Sequence, residues 1–183
     1  MQWRLKVLYI IGIALLILSA CTAPPYSQSA SPSWQHLPQR VINGTTFRHY
    51  TTVSRSDGSA RHMIIDEFIL QHWQPGQPLP HGALIVMQTW PTPSVESASF
   101  TKHVEADGAF SYGSFVPAQP NFVTHADNNC ASCHEVSADK HGTFTQLMLN
   151  AAVTQGRLMT AQCNRAGRIP CEDEIYSHFV PAQ

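Results

Sequence analysis

Cys130, Cys133 and His134 are the residues of this chain whose types and spacing point most directly to a chemistry, in the order Cys-Ala-Ser-Cys-His. Two thiols separated by two residues and followed at once by histidine are the attachment signal for a c-type haem. Each thiol adds to one vinyl group of the porphyrin, and the neighbouring imidazole becomes an axial ligand of the iron. The motif therefore predicts one covalently bound haem c with His134 as the metal ligand.

The same two cysteines could also belong to a zinc site or a dithiol redox site, or match the haem signal by chance. A zinc site needs further ligands at paired spacing, and Cys163 and Cys171 are too far apart to form a second such pair. A thioredoxin-like site lies in a βαβ pattern, which this sequence lacks. Haem attachment is therefore the favoured interpretation.

The N-terminus resembles a bacterial export signal. A basic segment precedes an apolar run over 7–18, which is too short and asymmetric for a membrane-spanning helix. The run leads into Leu-Ser-Ala-Cys, which is similar to a lipobox, so we expect removal of residues 1–20 and lipidation of Cys21. An ordinary signal peptide cleaved nearby is the alternative. Both predict a protein on the periplasmic side of a bacterial membrane, and Thr22, unlike an inner-membrane retention signal, favours the outer membrane.

Residues 21–38 are rich in Ser, Pro, Ala and Gln, a composition that buries no core, so they are predicted to form a flexible tether. Residues 39–183 have the size of one domain. After removal of the signal, nine basic residues stand against twelve acidic ones without a basic run, which argues against a nucleic-acid partner.

Cys163 and Cys171 remain once Cys21 is assigned to lipid and the two motif cysteines are assigned to haem. Outside the cytoplasm, such cysteines tend to form disulfides. We therefore predict a disulfide that closes the short Gly- and Pro-containing loop between Cys163 and Cys171, with two free thiols as the alternative.

The segments before the haem motif have the alternation and β-branched content of strands. Strands are predicted over 47–56, 61–65, 83–90, 95–104 and 109–116. Turns containing Asp-Gly separate the first two strands and the last two, and Pro91 and Pro93 end the third. Within the third strand, Ile85 and Met87 fall on one face because side chains alternate.

Helices are fewer and shorter. Asp66 is a suitable N-cap for a short helix over 67–73, and 144–155 has apolar residues at helical spacing. Residues 117–129 are predicted to form a loop leading to the haem motif, so that the haem site follows the last strand. The sequence thus predicts an α+β fold, mostly antiparallel β-sheet with a few short helices and one c-type haem site in the C-terminal third.

The order and spacing of these pieces resemble the cytochrome P-460 family, which includes the NO-binding cytochromes c′-β. The resemblance covers about residues 48–155, and the matching stretches are 61–66, 80–86, 107–112 and 130–145. It implies a β-rich protein, usually a homodimer, with one c-type haem near the C-terminus. The extension that contains Cys163 and Cys171 lies beyond the matched part.

The resemblance also implies roles for residues near the iron. Hydroxylamine-oxidising members carry a lysine that is cross-linked to the haem, and Met87 stands at its place here. Because Lys102 and Lys140 lie in other segments, the cross-link is expected to be absent. Arg61 matches a distal arginine of those members and is a candidate to hydrogen-bond a bound ligand. Glu96 is the only acid on the strand where their distal glutamate would lie.

Three functions are consistent with these residues. The first is a haem with an open sixth position that binds or redox-converts a small nitrogen-oxide ligand such as NO, inside an apolar pocket. Ile85, Met87 and either Phe100 or Phe110 are candidates for that pocket, with plain core packing as the alternative. The second is an oxidoreductase acting on hydroxylamine or NO, which needs a proton acceptor near the iron. The third is an electron-transfer cytochrome with Met87 as sixth ligand and a redox partner that the sequence does not identify.

Overall fold

In the part of the chain that the structure describes, nine β-strands form one mostly antiparallel sheet. The structure is a computed structural model that describes residues 32–117, 119–123, 128–135, 143–167 and 169–183. The expected signal peptide over 1–20, the lipidation site Cys21 and the tether as far as residue 31 lie outside these residues. None of the helices in the described ranges is long and apolar enough to span a membrane.

The strands, numbered in chain order, are β1 (Gln39–Ile42), β2 (Thr45–Arg55), β3 (Ala60–Asp66), β4 (Leu84–Trp90), β5 (Ala98–Val104), β6 (Phe110–Val116), β7 (Gln119–Val123), β8 (Met159–Cys163) and β9 (Val180–Pro181). The α-helices are α1 (Glu67–Leu70), α2 (Asn128–Glu135) and α3 (Gln146–Gln155), with 3-10 helices at Ser33–His36 and Asp173–Tyr176. Across the sheet the order is β7-β6-β5-β4-β3-β2-β8-β9, and β1 also pairs with β2. Only the pairing of β2 with β8 is parallel among the described strands. The predicted fold class, α+β with a mostly antiparallel sheet and few short helices, is confirmed.

The hairpin between β2 and β3 follows directly from its turn residues. The carboxylate of Asp57 accepts a hydrogen bond from the Ser59 N–H at 3.0 Å, and Gly58 takes a φ of +79°. A tight turn is stabilised by such a side chain–backbone hydrogen bond and requires such a positive φ. Asp and Gly provide these two features at little energetic cost. The turn places Arg55 and Arg61, on its two sides, at the same end of the sheet.

Helix α1 begins as predicted but ends earlier. The Asp66 carboxylate accepts from the Phe68 N–H at 2.9 Å, so Asp66 is the N-cap. The helix was predicted to extend to residue 73, whereas it stops at Leu70 and is followed by a turn. The indole N–H of Trp73 donates to the carbonyl of Gln77 at 3.0 Å, which folds the chain back on itself.

Strand β5 begins at Ala98, three residues later than predicted. Residues 91–97 instead form a turn, in which Thr92 and Val95 make an isolated bridge. The Ser97 N–H then donates to the Thr89 carbonyl at 2.9 Å and brings the chain into register with β4. The two prolines that end β4 explain the delay, because they prevent a direct two-residue hairpin.

Residues 117–129 were predicted as a loop, and this is wrong, because β7 lies within them on the edge of the sheet. Pro120 argues against a strand when the sequence is considered alone, but proline is tolerated on edge strands. The prediction that the haem motif follows the last strand is also wrong, because β8 and β9 come after it. Strand β8 joins the sheet through a distant partner, which local patterns do not identify.

The predicted tether ends earlier than residue 38. Residues 32–38 belong to the compact unit, and Trp34 and Leu37 are buried in its main core. The 3-10 helix that contains Trp34 packs beside α3. The sequence around these two apolar residues is rich in Ser, Pro and Gln, so it did not indicate that they are buried.

The core has a layer on each face of the sheet. On one face, α3 packs its residues Met148, Leu149 and Ala152 against Tyr50 and Ile65 of the sheet. On the other face, a smaller cluster joins four side chains, Phe47, Ile64, Val86 and Phe115. Helix α3 covers only part of its face, and the cavity described next lies over another part of the sheet.

Candidate functional site

A row of three apolar side chains crosses the centre of the sheet. Met63 of β3 pairs with Met87 of β4, which pairs with Phe100 of β5. Directly paired residues lie on the same face of a sheet, so these side chains are neighbours. All three line a cavity of about 600 Å³, a size within the range of ligand and cofactor sites.

Helix α2 contributes the other side of the cavity. Cys130, which is half-buried, and His134 both line it, and Cys133 lies in the same helix one turn after Cys130. The His134 ring sits between Tyr112 and Phe144, with its centroid 5.2 Å from each. The helix contacts β6, the strand that carries Tyr112. The structure thus brings a thiol and an imidazole of the motif to the cavity that the methionine row also faces.

The candidate pocket residues are divided between the cavity and the core. Ile85, Met87 and Phe100 line the cavity. Phe110 is instead partly buried against the main core. Met63 is an additional lining residue that the sequence did not single out, although it falls in one of the stretches that resemble the cytochrome P-460 family.

Arg61 lines the cavity, and the structure shows where two of its N–H groups are directed. The side chain is 6% exposed, and it donates to the Ala60 carbonyl at 3.1 Å and to the Gly167 carbonyl at 2.9 Å. Gly167 belongs to the loop between Cys163 and Cys171. The expected role of Arg61 toward an iron-bound ligand stays a prediction.

Arg55 is a second cavity arginine, and sequence reasoning missed it. It is 7% exposed and lines the same cavity as Arg61. Its guanidinium donates to the carbonyl of Ile169 and lies 3.5 Å from the sulfur of Cys171. Its Nε is buried and has no hydrogen-bond partner among the described residues. Arg55 comes two residues after Val53, which also lines the cavity from β2. The alternation of side chains along a strand could therefore have placed both residues on the same face.

Lys102 also lines the cavity, although it lies on a different strand from Met87, which stands at the place of the family's haem-linked lysine. It pairs with Ile85 on one side and Tyr112 on the other, and it shares a face with Phe100 because side chains alternate along β5. Its ammonium group donates to the Thr143 hydroxyl at 2.8 Å. Burial lowers the pKa of the amine to about 7. The other lysine considered in the sequence, at position 140, lies outside the described residues.

Glu96 lies away from the cavity. Its carboxylate accepts from the Gln88 amide at 2.9 Å and the Ser99 hydroxyl at 2.5 Å, and it pairs with Arg40 at 3.0 Å. Gln88 comes directly after Met87, and Ser99 comes directly before Phe100. Because side chains alternate along a strand, Gln88 and Ser99 point to the face of the sheet opposite the cavity. No Asp or Glu is among the described residues that line the cavity.

Cys163 and Cys171 form the predicted disulfide, with their Cα atoms 5.8 Å apart. The loop that it closes forms one wall of the cavity, where Ile169 and Pro170 are lining residues. Besides the two arginines, Asp57 holds this loop, because its carboxylate accepts from the Gly167 N–H at 2.8 Å. Hydrogen bonds from Ser59 first, and from Gly167 next, keep the pKa of Asp57 below its usual range.

Within the described ranges, no group of three or more His, Cys, Asp or Glu side chains is arranged to hold a metal ion by itself. No protein-family model matches this chain, and no curated protein matches it.

Proposed function

We propose that the protein is a mono-haem c-type cytochrome whose iron binds or redox-converts a small nitrogen-oxide ligand such as NO. The observation that carries this proposal is the joint placement of Cys130 and His134 on a cavity of about 600 Å³. A zinc or dithiol site needs no cavity of that size, whereas a porphyrin needs a large pocket with an apolar wall.

The residues of the cavity fit a haem in three respects. Cys130 and Cys133 would form the thioether bonds, and His134 would ligate the iron. The facing row of Met63, Met87 and Phe100 offers apolar groups to the second side of a porphyrin. The haem supplies the redox-active iron when it is bound, and an apolar distal wall favours an uncharged ligand over a charged one.

A second candidate is an oxidoreductase acting on hydroxylamine or NO, and the position of Lys102 favours it. The resemblance to the cytochrome P-460 family implied a haem-linked lysine, for which Met87 offered no replacement. Lys102 places an amine in the cavity from the neighbouring strand, and its pKa of about 7 makes it suited to accept a proton near neutral pH. No carboxylate of the described cavity lining competes for that role.

Absorption spectra of the purified holoprotein separate these functions. The spectra are taken oxidised, reduced, and reduced with NO. A broad, high-spin reduced spectrum that changes on addition of NO is expected for the first function. A strongly red-shifted reduced Soret band that returns to normal in Lys102→Met would move the assignment to the enzyme. A sharp low-spin spectrum indifferent to NO would instead mean a sixth protein ligand, for which Met87 is the first candidate, and an electron-transfer role.

Covalent attachment is tested by removing the motif thiols. Cys130→Ala combined with Cys133→Ala should abolish haem that survives acid extraction, because no thioether bond can form. Cys163→Ala combined with Cys171→Ala removes the same number of cysteines, as a disulfide, and should retain the haem. If the first pair still carries covalent haem, the motif is not the attachment site.

We further propose that the chain is exported and anchored to a periplasmic membrane surface through lipid on Cys21. Mass spectrometry of the mature protein should find Cys21 as its first residue, carrying acyl chains, and Cys21→Ala should be released from the membrane fraction. A mature protein that starts elsewhere and carries no lipid would replace the anchor with an ordinary signal peptide.

A further inference from the structure

Two buried arginines line one end of the cavity. Arg55 and Arg61 flank the turn between β2 and β3, and both donate to carbonyls of the disulfide-closed loop, at Ile169 and Gly167. Each is less than one-tenth exposed. Both guanidinium groups therefore lie at the wall where this loop meets the sheet.

The charge of Arg55 calls for an anion. A buried cation is costly unless an opposite charge or a full set of hydrogen bonds stabilises it. No carboxylate is among the described residues of the cavity lining, and the buried Nε of Arg55 has no partner among them. Arg61 already lies near the carboxylate of Asp57 and helps to lower its pKa, whereas Arg55 forms no salt bridge among the described residues.

The position of the pair across the sheet suggests which anion it receives. The helix α2 that carries the attachment cysteines contacts β6, whereas the arginines lie on β2 and β3. From β6 to β3 there are three strand spacings, or about 14 Å. The vinyl and propionate groups of a haem occupy opposite edges of the porphyrin. A haem attached near β6 by its vinyl edge would therefore extend its propionate edge toward β3 and β2.

We propose that Arg55 and Arg61 bind the propionate carboxylates of the haem and so fix its orientation in the cavity. The inference rests on the proposed function, because it requires a haem attached at Cys130 and Cys133. Guanidinium groups suit this task, since their planar N–H pairs match carboxylate geometry. Arg61 then holds the periphery of the cofactor. Lys102 lies four residues along β5 from the position that is in register with Arg61, so Lys102 is the cation nearer the iron ligand.

The test reads the propionates themselves. The holoprotein is produced with 5-aminolevulinate carrying ¹³C at the carbon that becomes the propionate carboxyl, and infrared difference spectra follow those carboxyls over a pH series. In the native protein they should titrate well below the range of an exposed carboxyl. In Arg55→Gln and in Arg61→Gln, at least one should titrate one to three pH units higher, because a nearby cation stabilises the ionised form.

Two controls separate charge from the docking of the loop. Arg55→Lys keeps a cation and should retain most of the lowered titration. Asp57→Ala removes the acceptor for the Gly167 N–H, which loosens the loop without removing a cavity cation. Its propionates should titrate as in the native protein. An equal shift in Asp57→Ala and Arg55→Gln would mean that the loop, and not the guanidinium, is responsible.

The outcomes distinguish this inference from the function on which it rests. If the native protein carries no covalent haem, the proposed function fails and the inference fails with it. If it carries covalent haem whose carboxyls titrate in the ordinary range, or identically in the native protein and both glutamine variants, only the inference is overturned. The native measurement alone decides this point even where a variant fails to fold.

Discussion

Replacing Lys102 by methionine should change how stability depends on pH. Burial lowers the pKa of the Lys102 amine from 10.5 to about 7, and the residue is 7% exposed. Between these two values the unfolded chain binds one more proton than the folded protein. The amine therefore destabilises the fold fully below pH 7, and this penalty disappears as the pH rises. The free energy of unfolding should increase by up to ~1.4 kcal/mol per pH unit across that window.

The net effect of the substitution follows from two opposing contributions. At pH 7 the variant is relieved of a penalty of at most ~4 kcal/mol. It loses the hydrogen bond to the Thr143 hydroxyl at 2.8 Å and the cation 3.6 Å from the centroid of the Phe110 ring. Together these contacts contribute ~1–3 kcal/mol. Lys102→Met should thus be more stable than the native protein at pH 7 by ~1–3 kcal/mol, and this difference should fall to within ~1 kcal/mol of zero at pH 10, where most of the penalty has disappeared.

The measurement is urea unfolding of both proteins at several values of pH from 6 to 10, with Arg165→Met as a control that replaces an exposed cation. The control should keep the native pH dependence. Parallel curves for the native protein and Lys102→Met, together with an ordinary Soret band, would refute the reasoning. A flat native curve with a red-shifted Soret band would mean that the amine is bonded to the haem.

Two further predictions concern the frame of the cavity. A Cβ at Gly156, which has a φ of +65° and ends α3, would lie 2.5 Å from the Ser33 carbonyl, whereas Gly58, at +79°, has no neighbour within 4 Å. Gly156→Ala should therefore cost more unfolding free energy in urea than Gly58→Ala, which bears only the ~1–2 kcal/mol of left-handed strain; equal losses would contradict the clash. Cys163→Ala combined with Cys171→Ala should lower the free energy of unfolding by ~2.5 kcal/mol, from the loop entropy of a nine-residue closure. A thermal melt with an unchanged midpoint would show that the docked loop needs no covalent closure.

The central strands could be predicted because their signals are local. Asp-Gly turns and two-residue alternation identify β2, β3, β4 and β6, and the row through Met87 and Phe100 needs only the register that those turns impose. Strands β7, β8 and β9 escaped detection because they depend on partners rather than on pattern. Strand β7 carries a proline, and β8 pairs with a strand from the start of the chain.

Arg55 and Lys102 were missed as cavity residues for a different physical reason. Arginine and lysine in a strand normally lie at the surface, so Arg55 and Lys102 gave no indication of burial. Their side chains enter the cavity only because a helix and a disulfide-closed loop cover that part of the sheet. Such coverage comes from tertiary packing, and alternation predicts the face of a residue without predicting what covers it.

The parallel pairing of β2 with β8 has a consequence for the order of assembly. Strands β2 to β6 pair with their sequence neighbours, whereas β8 meets β2 only after α2 and α3 have been synthesised. Pairings between neighbouring segments form quickly, and pairings between distant segments form slowly. We therefore expect a folding intermediate in which strands β2 to β6 are paired but β8 and the loop that follows it are not yet in place. The cavity is open on that side in this intermediate. If a haem is attached at Cys130 and Cys133, as proposed, we expect it to enter the cavity at this stage, before the loop completes the last wall.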